Sequence, residues 1–373
     1  MPDRNLHIVS FDVPWPADYG GVIDVYHKIR HLRLLGWEVT LHCYRRQRPE
    51  SDKLESLCKE VFYYNRNTSL LSHLKKSPFI AASRNSELLV KRLIETDSPI
   101  LLEGLHCCAP LKMLSGCSKN VYVRTHNIEH DYYGGLARST RNPIKSVFFR
   151  SEARKLKKYE RVLTAAHGIA CISPDDARHF NSINANSHFI GPFHPHDMVS
   201  SAAGRGDFML YHGALSVPEN QAAIRWLLSD VIPNTDNELI IAGKNPPNWM
   251  AQQIRRLDRV SLIANPDKLE LDQLIRDAQV HLLPSTQSTG VKLKLIHALF
   301  SGRHVVANEL MVAGTGLESF CHLAVSGKEF ALRADELMQK PFSATDTSER
   351  KSLETSGYSN RLNAEKLSKM LLV

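Results

Sequence analysis

Short apolar runs alternate with segments of helical period along most of this 373-residue chain, and the alternation breaks once. Residues 6–11 form the first run, and a loop follows that ends in Gly20-Gly21. Val22, Val25, Ile29, Leu32 and Leu35 then recur at helical spacing up to Gly36, a helix stop. Residues 39–44 read as the next strand. Residues 100–102 and 121–123 are too short for helices and read as further strands. A long charged helix is predicted over 146–167, then a strand over 168–172 leading into Ser173-Pro174-Asp175, a helix opening. The break is Gly191-Pro192-Phe193-His194-Pro195-His196 and the Ser/Ala/Gly-rich stretch 200–206. Beyond it the pattern restarts, with strands predicted over 208–211, 238–242, 260–263, 280–283 and 304–307 and helices over 219–228, 269–278 and 292–300.

Repeated strand–helix units imply parallel sheets whose ligands sit at the carboxyl ends of the strands. The expectation is an α/β protein of two Rossmann-like, doubly wound parallel-sheet domains facing a cleft. The first spans 1–190, a linker 191–207, and the second 208–345. The polar stretch 343–360 reads as a surface loop, and a helix over 361–373 is expected to pack back on the first domain.

Composition narrows the class. No run of eighteen apolar residues occurs, so no transmembrane span is expected, and the apolar opening, interrupted by His7, reads as a strand rather than a signal peptide. Seven scattered cysteines, with Cys107 and Cys108 adjacent and no Cys-x-x-Cys, fit a reduced, cytoplasmic protein. Charge is lopsided: residues 1–190 hold 28 Lys+Arg against 19 Asp+Glu, a balance of +9, leaving −1 for the remainder. A basic first half with clusters at Arg45-Arg46-Arg48 and Lys75-Lys76 points to an anionic partner or to solvated helix faces. With Leu70, Leu71, Leu74, Phe79 and Ile80 around the second cluster, the expectation is a peripheral site at the inner membrane face. No nucleic-acid reading motif accompanies the charge.

Five segments of the second half carry a family resemblance. They are Tyr211-His212-Gly213-Ala214-Leu215 followed by Pro218-Glu219-Asn220; Leu239-Ile240-Ile241-Ala242-Gly243; Asp277 through Ser285; Gly290-Val291-Lys292-Leu293-Lys294-Leu295; and Ala298-Leu299-Phe300-Ser301-Gly302-Arg303-His304-Val305-Val306. In this order they resemble glycosyltransferase family 4, the group 1 glycosyltransferases of GT-B fold. Gly20-Gly21 and Arg124-Thr125-His126-Asn127-Ile128-Glu129 look like acceptor-domain segments of the same family, so the resemblance covers roughly residues 6–325. It implies sugar transfer with retention from a nucleoside-diphosphate sugar to a hydroxyl of a carbohydrate or lipid-linked acceptor, in surface polysaccharide or glycolipid synthesis. It implies neither metal nor cofactor, the donor phosphate itself helping to take the acceptor proton.

The same resemblance places Gly20, Gly21, Gly213, Lys244, Gly290, Val291, Lys292, Lys294 and His297 at the donor nucleotide and makes His126 the catalytic contact to donor sugar or leaving diphosphate. The chemistry agrees, since a diphosphate needs close backbone approach and helix N-terminal donors, as Gly290 before a helix supplies. Lys292 and Lys294 stand two helical positions apart and cannot share a face. Four positions depart from the family: His297 replaces the glutamate of Lys-x-x-Glu-Ala, Thr289 stands at an acidic position, and Ala214 and Glu219 replace basic residues. Rival readings are a sugar-nucleotide epimerase and a catalytically inactive, transferase-like binding subunit. His126-Asn127-Ile128-Glu129-His130 also matches His-x-x-Glu-His, but it follows a strand directly rather than lying within a helix, which argues against zinc chemistry there. His194-Pro195-His196-Asp197 reads as rigid linker rather than metal site.

Overall fold

The computed structural model describes residues 4–69 and 76–372, so the expectations placed on Leu70, Leu71, Leu74 and Lys75 lie outside the described residues. Two compact units divide the chain: one comprises the described residues of Met1–Gly134, Phe148–Pro195 and Ser356–Val373, the other Gly135–Val147 and His196–Thr355.

The first unit is built on a seven-stranded sheet of order β3-β2-β1-β4-β5-β6-β7. Its strands are β1 (Asn5–Ser10), β2 (Glu38–Arg45), β3 (Glu60–Asn65), β4 (Ile100–Glu103), β5 (Val121–Thr125), β6 (Gly168–Cys171) and β7 (Ser187–Phe189), every pair parallel. Helices cover a parallel sheet on both faces, so its central strands are buried throughout rather than alternating, as β4 and β5 are here. Ile100, Leu101 and Leu102 of β4 are fully buried, and so is the charged Glu103 that ends the strand. Gly21 lies in the first turn of the helix Gly20–Leu34, where a Cβ would fall 2.5 Å from the Phe11 ring, so only glycine lets that helix seat against the end of β1. The C-terminal helix Asn360–Leu371 packs on Gly20–Leu34, with Trp37 Nε1 donating to Ser368 Oγ at 2.9 Å. Its Asn363 and Asn360 accept from the backbone N–H groups of Gly191 and His194.

The second unit holds a six-stranded parallel sheet of order β10-β9-β8-β11-β12-β13. These are β8 (Met209–Ala214), β9 (Leu239–Lys244), β10 (Val260–Ala264), β11 (Val280–Leu283), β12 (His304–Ala307) and β13 (His322–Leu323). Because β8 pairs with β9 on one side and β11 on the other, the order reverses at the β8/β11 boundary.

Several expectations need correction. The predicted surface loop 343–360 folds as the helix Ala344–Arg350 and a 3-10 turn Lys351–Thr355. Ser343 and Asp346 form a reciprocal capping box that opens this helix, a local signal outweighing the polar composition. Arg350, which it carries inward, is buried and donates to the carbonyls of Ala298, Leu299 and Gly302 at the end of the helix Leu293–Ser301. The helix predicted over 146–167 runs Pro143–Tyr159 and tightens into a 3-10 turn, Glu160–Ala165. Ile80, expected among lipid headgroups, is 5 % exposed and belongs to the core. Two arginines of the first basic cluster pair with acids of the chain, Arg45 with Glu50 at the surface and Arg48 with the half-buried Asp18. No helix among the described residues is long and apolar enough to cross a membrane, and all seven cysteines are unpaired.

Both cores bury histidines. His42 touches His7 and Tyr64, and His212 meets His281 with ring centroids 5.7 Å apart. Burial, then the charge of neighbouring groups, pushes His42 and His281 down to about 3 and His212 well below its ordinary value. These imidazoles are therefore neutral in the fold, while the unfolded chain takes up protons below about pH 6.5. Stability is complete above that pH and is lost as pH falls, by up to about 1.4 kcal/mol per pH unit for each such histidine. The thermal midpoint should decline continuously from pH 7 to pH 5; a flat midpoint over that range contradicts the assignment.

Candidate active site

In open α/β sheets ligands gather at the carboxyl edge where strand order reverses, here the ends of β8 and β11. Two helices begin there. Pro218–Trp226 follows β8 and carries Glu219 in its first turn. Leu293–Ser301 follows the β11 loop; its N-cap Lys292 makes no side-chain cap, and no acid lies in its first turn. Unsatisfied N–H groups and a positive helix end therefore favour an anion at Leu293–Ser301. Gly290, at φ 64°, turns the chain into this helix through a conformation that side chains other than glycine resist.

Lys294 lies across the edge to β8. Its Nζ donates to Asn220 Oδ1 at 2.7 Å and to Tyr211 Oη at 3.1 Å, and sits 4.9 Å from the Tyr211 ring centroid. Asn220 is itself fixed, accepting from Tyr211 Oη at 3.0 Å and donating to the Ala214 carbonyl at 2.8 Å. Burial pushes the Lys294 ammonium down to about 8, with Glu219 opposing the shift and Lys292 adding to it. Glu219 accepts from Ser285 Oγ and from Gln287 Nε2, each at 2.7 Å, tying the β11 loop to the other helix. Gln287 Oε1 and Thr289 Oγ1 of that loop are buried without a hydrogen-bond partner. The edge thus combines a half-buried ammonium, an uncapped helix start and two polar atoms lacking partners, an arrangement suited to a polyhydroxylated anion.

The remaining donor-side candidates spread around this edge. Lys292 turns away from Lys294, its Nζ 3.4 Å from the carbonyls of Gly290 and Leu310. Val291 is half-buried between Gly290 and Lys292. Gly213 lies beside Asn220, and the exposed Lys244 pairs in register with Ala214 at the end of the neighbouring strand. His297 packs its ring perpendicular to His196, centroids 4.9 Å apart, and its Nε2 has no hydrogen-bond partner. Burial pushes it down to about 4, against the pull of Asp272. Gly20 and Gly21 stand in the other unit, at the start of Gly20–Leu34.

His126 ends up in a network that the spacing of the sequence did not reveal. Lys28 Nζ lies 2.9 Å from Asp24 Oδ2 and 2.7 Å from Glu103 Oε1, and Arg124 Nη2 lies 2.9 Å from Asp24 Oδ1. All four residues are at most 1 % exposed. Two cations against two carboxylates close the charge of these four residues, and the neighbouring imidazole of His126 hydrogen-bonds to the network. His126 Nε2 lies 3.0 Å from Glu103 Oε2, and Nδ1 lies 3.9 Å from Asp24 Oδ2. Burial alone would raise the Asp24 carboxyl, but Arg124, Lys28 and His126 outweigh it and hold the group below the usual carboxylate range. Asp24 also accepts from the Phe193 N–H, and Arg124 donates to the Gly191 carbonyl, so the stretch 191–193 is anchored to the same network. The His126-x-x-Glu129-His130 residues do not converge: His126 joins Glu103, whereas His130 faces Glu160.

Against known proteins, residues 206–338 match the family described as glycosyl transferases group 1. An uncharacterized 44.6 kDa protein in the cps region of Klebsiella pneumoniae is 27 % identical over 342 residues, 86 % of this chain and 87 % of that protein. Among solved structures, Anabaena HepE in complex with UDP and glucose gives a TM-score of 0.65 at 14 % identity, covering 98 % of this chain and 99 % of that one. The structure of TarM gives 0.66 at 12 % identity, covering 99 % of both chains. The fold is accordingly GT-B, and the resemblance to group 1 glycosyltransferases holds over the unit that carries Lys294.

Proposed function

For a GT-B chain with a group 1 glycosyltransferase domain, we propose transfer of a hexosyl group with retention from a nucleoside-diphosphate sugar to a hydroxyl acceptor. The observation that carries this reading is Lys294, half-buried at the uncapped start of Leu293–Ser301, where strand order reverses. The donor diphosphate takes the N–H groups of that helix start and the ammonium of Lys294, each charge-assisted bond contributing about 1.5–3 kcal/mol. Lys292 and Lys244 add positive charge on either side. The polar atoms of Gln287, Thr289 and His297 that lack partners are offered to ribose hydroxyls, His297 standing in for an acidic residue. His126 keeps its ring oriented by Glu103 and Asp24. Neutralising the leaving diphosphate with fixed cations and amides is electrostatic stabilisation that needs no metal or cofactor, and the donor phosphate takes the acceptor proton. The Klebsiella relative, named for a cps region, fits a polysaccharide product.

Protonation of Lys294 sets the pH dependence. Its charged form prevails below about pH 8, so nucleotide affinity should weaken as pH rises from 7 to 9. UDP, GDP and ADP titrated by calorimetry identify the base; Lys294→Met should weaken the preferred nucleotide at least about 10-fold and flatten the pH profile. Unchanged affinity in that variant contradicts the site. Nucleotide binding with no turnover of any sugar donor would favour the inactive binding subunit, and sugar interconversion without an acceptor the epimerase.

The anionic-surface reading moves to the helix Pro143–Tyr159, which carries six basic residues against one acid. Arg150, Arg154, Lys157 and Lys158 are exposed, and Ile144 and Val147 are 80 % and 68 % exposed. Each basic residue near an anionic bilayer contributes about 1 kcal/mol, screened by salt. The protein should float with anionic but not neutral vesicles at low salt, and reversal of Arg150, Arg154 and Lys158 to glutamate should abolish this. Equal failure to bind both vesicle types leaves a soluble acceptor.

A further inference from the structure

Three segments of the first unit meet at His130, Glu160 and His179. His130 lies at the start of the helix Glu129–Ser139, Glu160 opens the 3-10 turn Glu160–Ala165, and His179 belongs to the helix Pro174–Asn181. His179 Nε2 is 3.0 Å from Glu160 Oε1, and His130 Nδ1 is 3.6 Å from Glu160 Oε2. One donor atom from each residue lies within 4.8 Å of the others. Tetrahedral zinc with ligands at 2.0–2.1 Å sets its donor atoms roughly 3.3 Å apart, so small side-chain adjustments close this set on one ion.

The environment favours a cation. Glu160 is 4 % exposed, and its ion-pair partners are the two imidazoles; no lysine or arginine among the described residues pairs with it. The other convergence of histidine and carboxylates, Asp24, Glu103 and His126, is different because Lys28 and Arg124 already occupy it. His130 Nδ1 is buried without a hydrogen-bond partner and is aimed at Glu160. Asp131 Oδ1 lies 3.5 Å behind the opposite nitrogen, Nε2, where a carboxylate orients a metal-ligating imidazole. The side chains of His130 and His179 keep 14 % and 31 % exposure, so water can complete the coordination.

We propose that His130, Glu160 and His179 form a binding site for a divalent transition-metal ion, zinc by the nature of the donors. Two imidazoles and one carboxylate suit zinc and are poor ligands for magnesium or calcium, which prefer all-oxygen shells. The ion fastens the segment after β5, four residues beyond His126, to the helix after β6. It is a positioning site separate from the donor edge, and transfer itself stays metal-independent.

The test uses untagged full-length protein, treated with chelator, desalted and titrated with zinc ion alone. About one equivalent should bind at micromolar concentration and raise the thermal midpoint, with magnesium doing neither. Cobalt in its place should give the visible absorption of a four- or five-coordinate nitrogen and oxygen site. In His130→Ala/His179→Ala, affinity should fall by about 100-fold or more, while far-ultraviolet circular dichroism is kept. Glu160→Gln, which preserves shape, should lose the cobalt spectrum as well. One tightly bound equivalent persisting in the double variant, or wild-type protein binding no zinc and showing no cobalt spectrum, overturns the site.

Discussion

A half-buried lysine ammonium held by neutral acceptors is the contact on which the donor edge depends. Lys294 is satisfied by Tyr211 and Asn220, both neutral, while Glu219, which acts on it electrostatically, directs its oxygens to Ser285 and Gln287. The positive charge therefore has no carboxylate bonded to it, and desolvation lowers its pKa while Glu219 opposes the shift from a distance. An anion placed there recovers the missing interaction. Glu219 contributes indirectly, because its two hydrogen bonds fix the loop that delivers Gly290 and the helix start.

The first unit solves a similar problem in the opposite way. Asp24, Lys28, Glu103 and Arg124 compensate one another completely out of water. Such a closed network is costly to break, about 3–5 kcal/mol on removing one partner, and gives little to a ligand directly. Its effect is geometric. It clamps β4, β5, the helix Gly20–Leu34 and the stretch 190–193 together, and leaves His126 with an orientation set by Glu103.

Much of this was legible in the sequence. The alternation of apolar runs and helical periods gave both parallel sheets, because strands buried on two faces read as short continuous apolar runs. The edge strands β3, β7 and β13 escaped that reading, β7 because Ser187, His188 and Phe189 have no buried residue and form no apolar run. The helix Ala344–Arg350 escaped because its signal lies in the Ser343/Asp346 capping pair rather than in composition. At the site, the glycine and lysines around 290–294 stood out because they are contiguous. Asp24 and Glu103, 79 residues apart, and Glu160 with His179 converge only through the order of the strands. A buried Glu103 ending an apolar strand was the one local hint.

The most direct measurement is a crystal structure of the protein with the tightest-binding nucleoside diphosphate. The account predicts the diphosphate at the start of Leu293–Ser301, within hydrogen-bond distance of Lys294 Nζ, which then exchanges contact with Asn220 or Tyr211 for phosphate oxygen. A nucleotide bound elsewhere, with Lys294 still committed to both neutral partners, would contradict it.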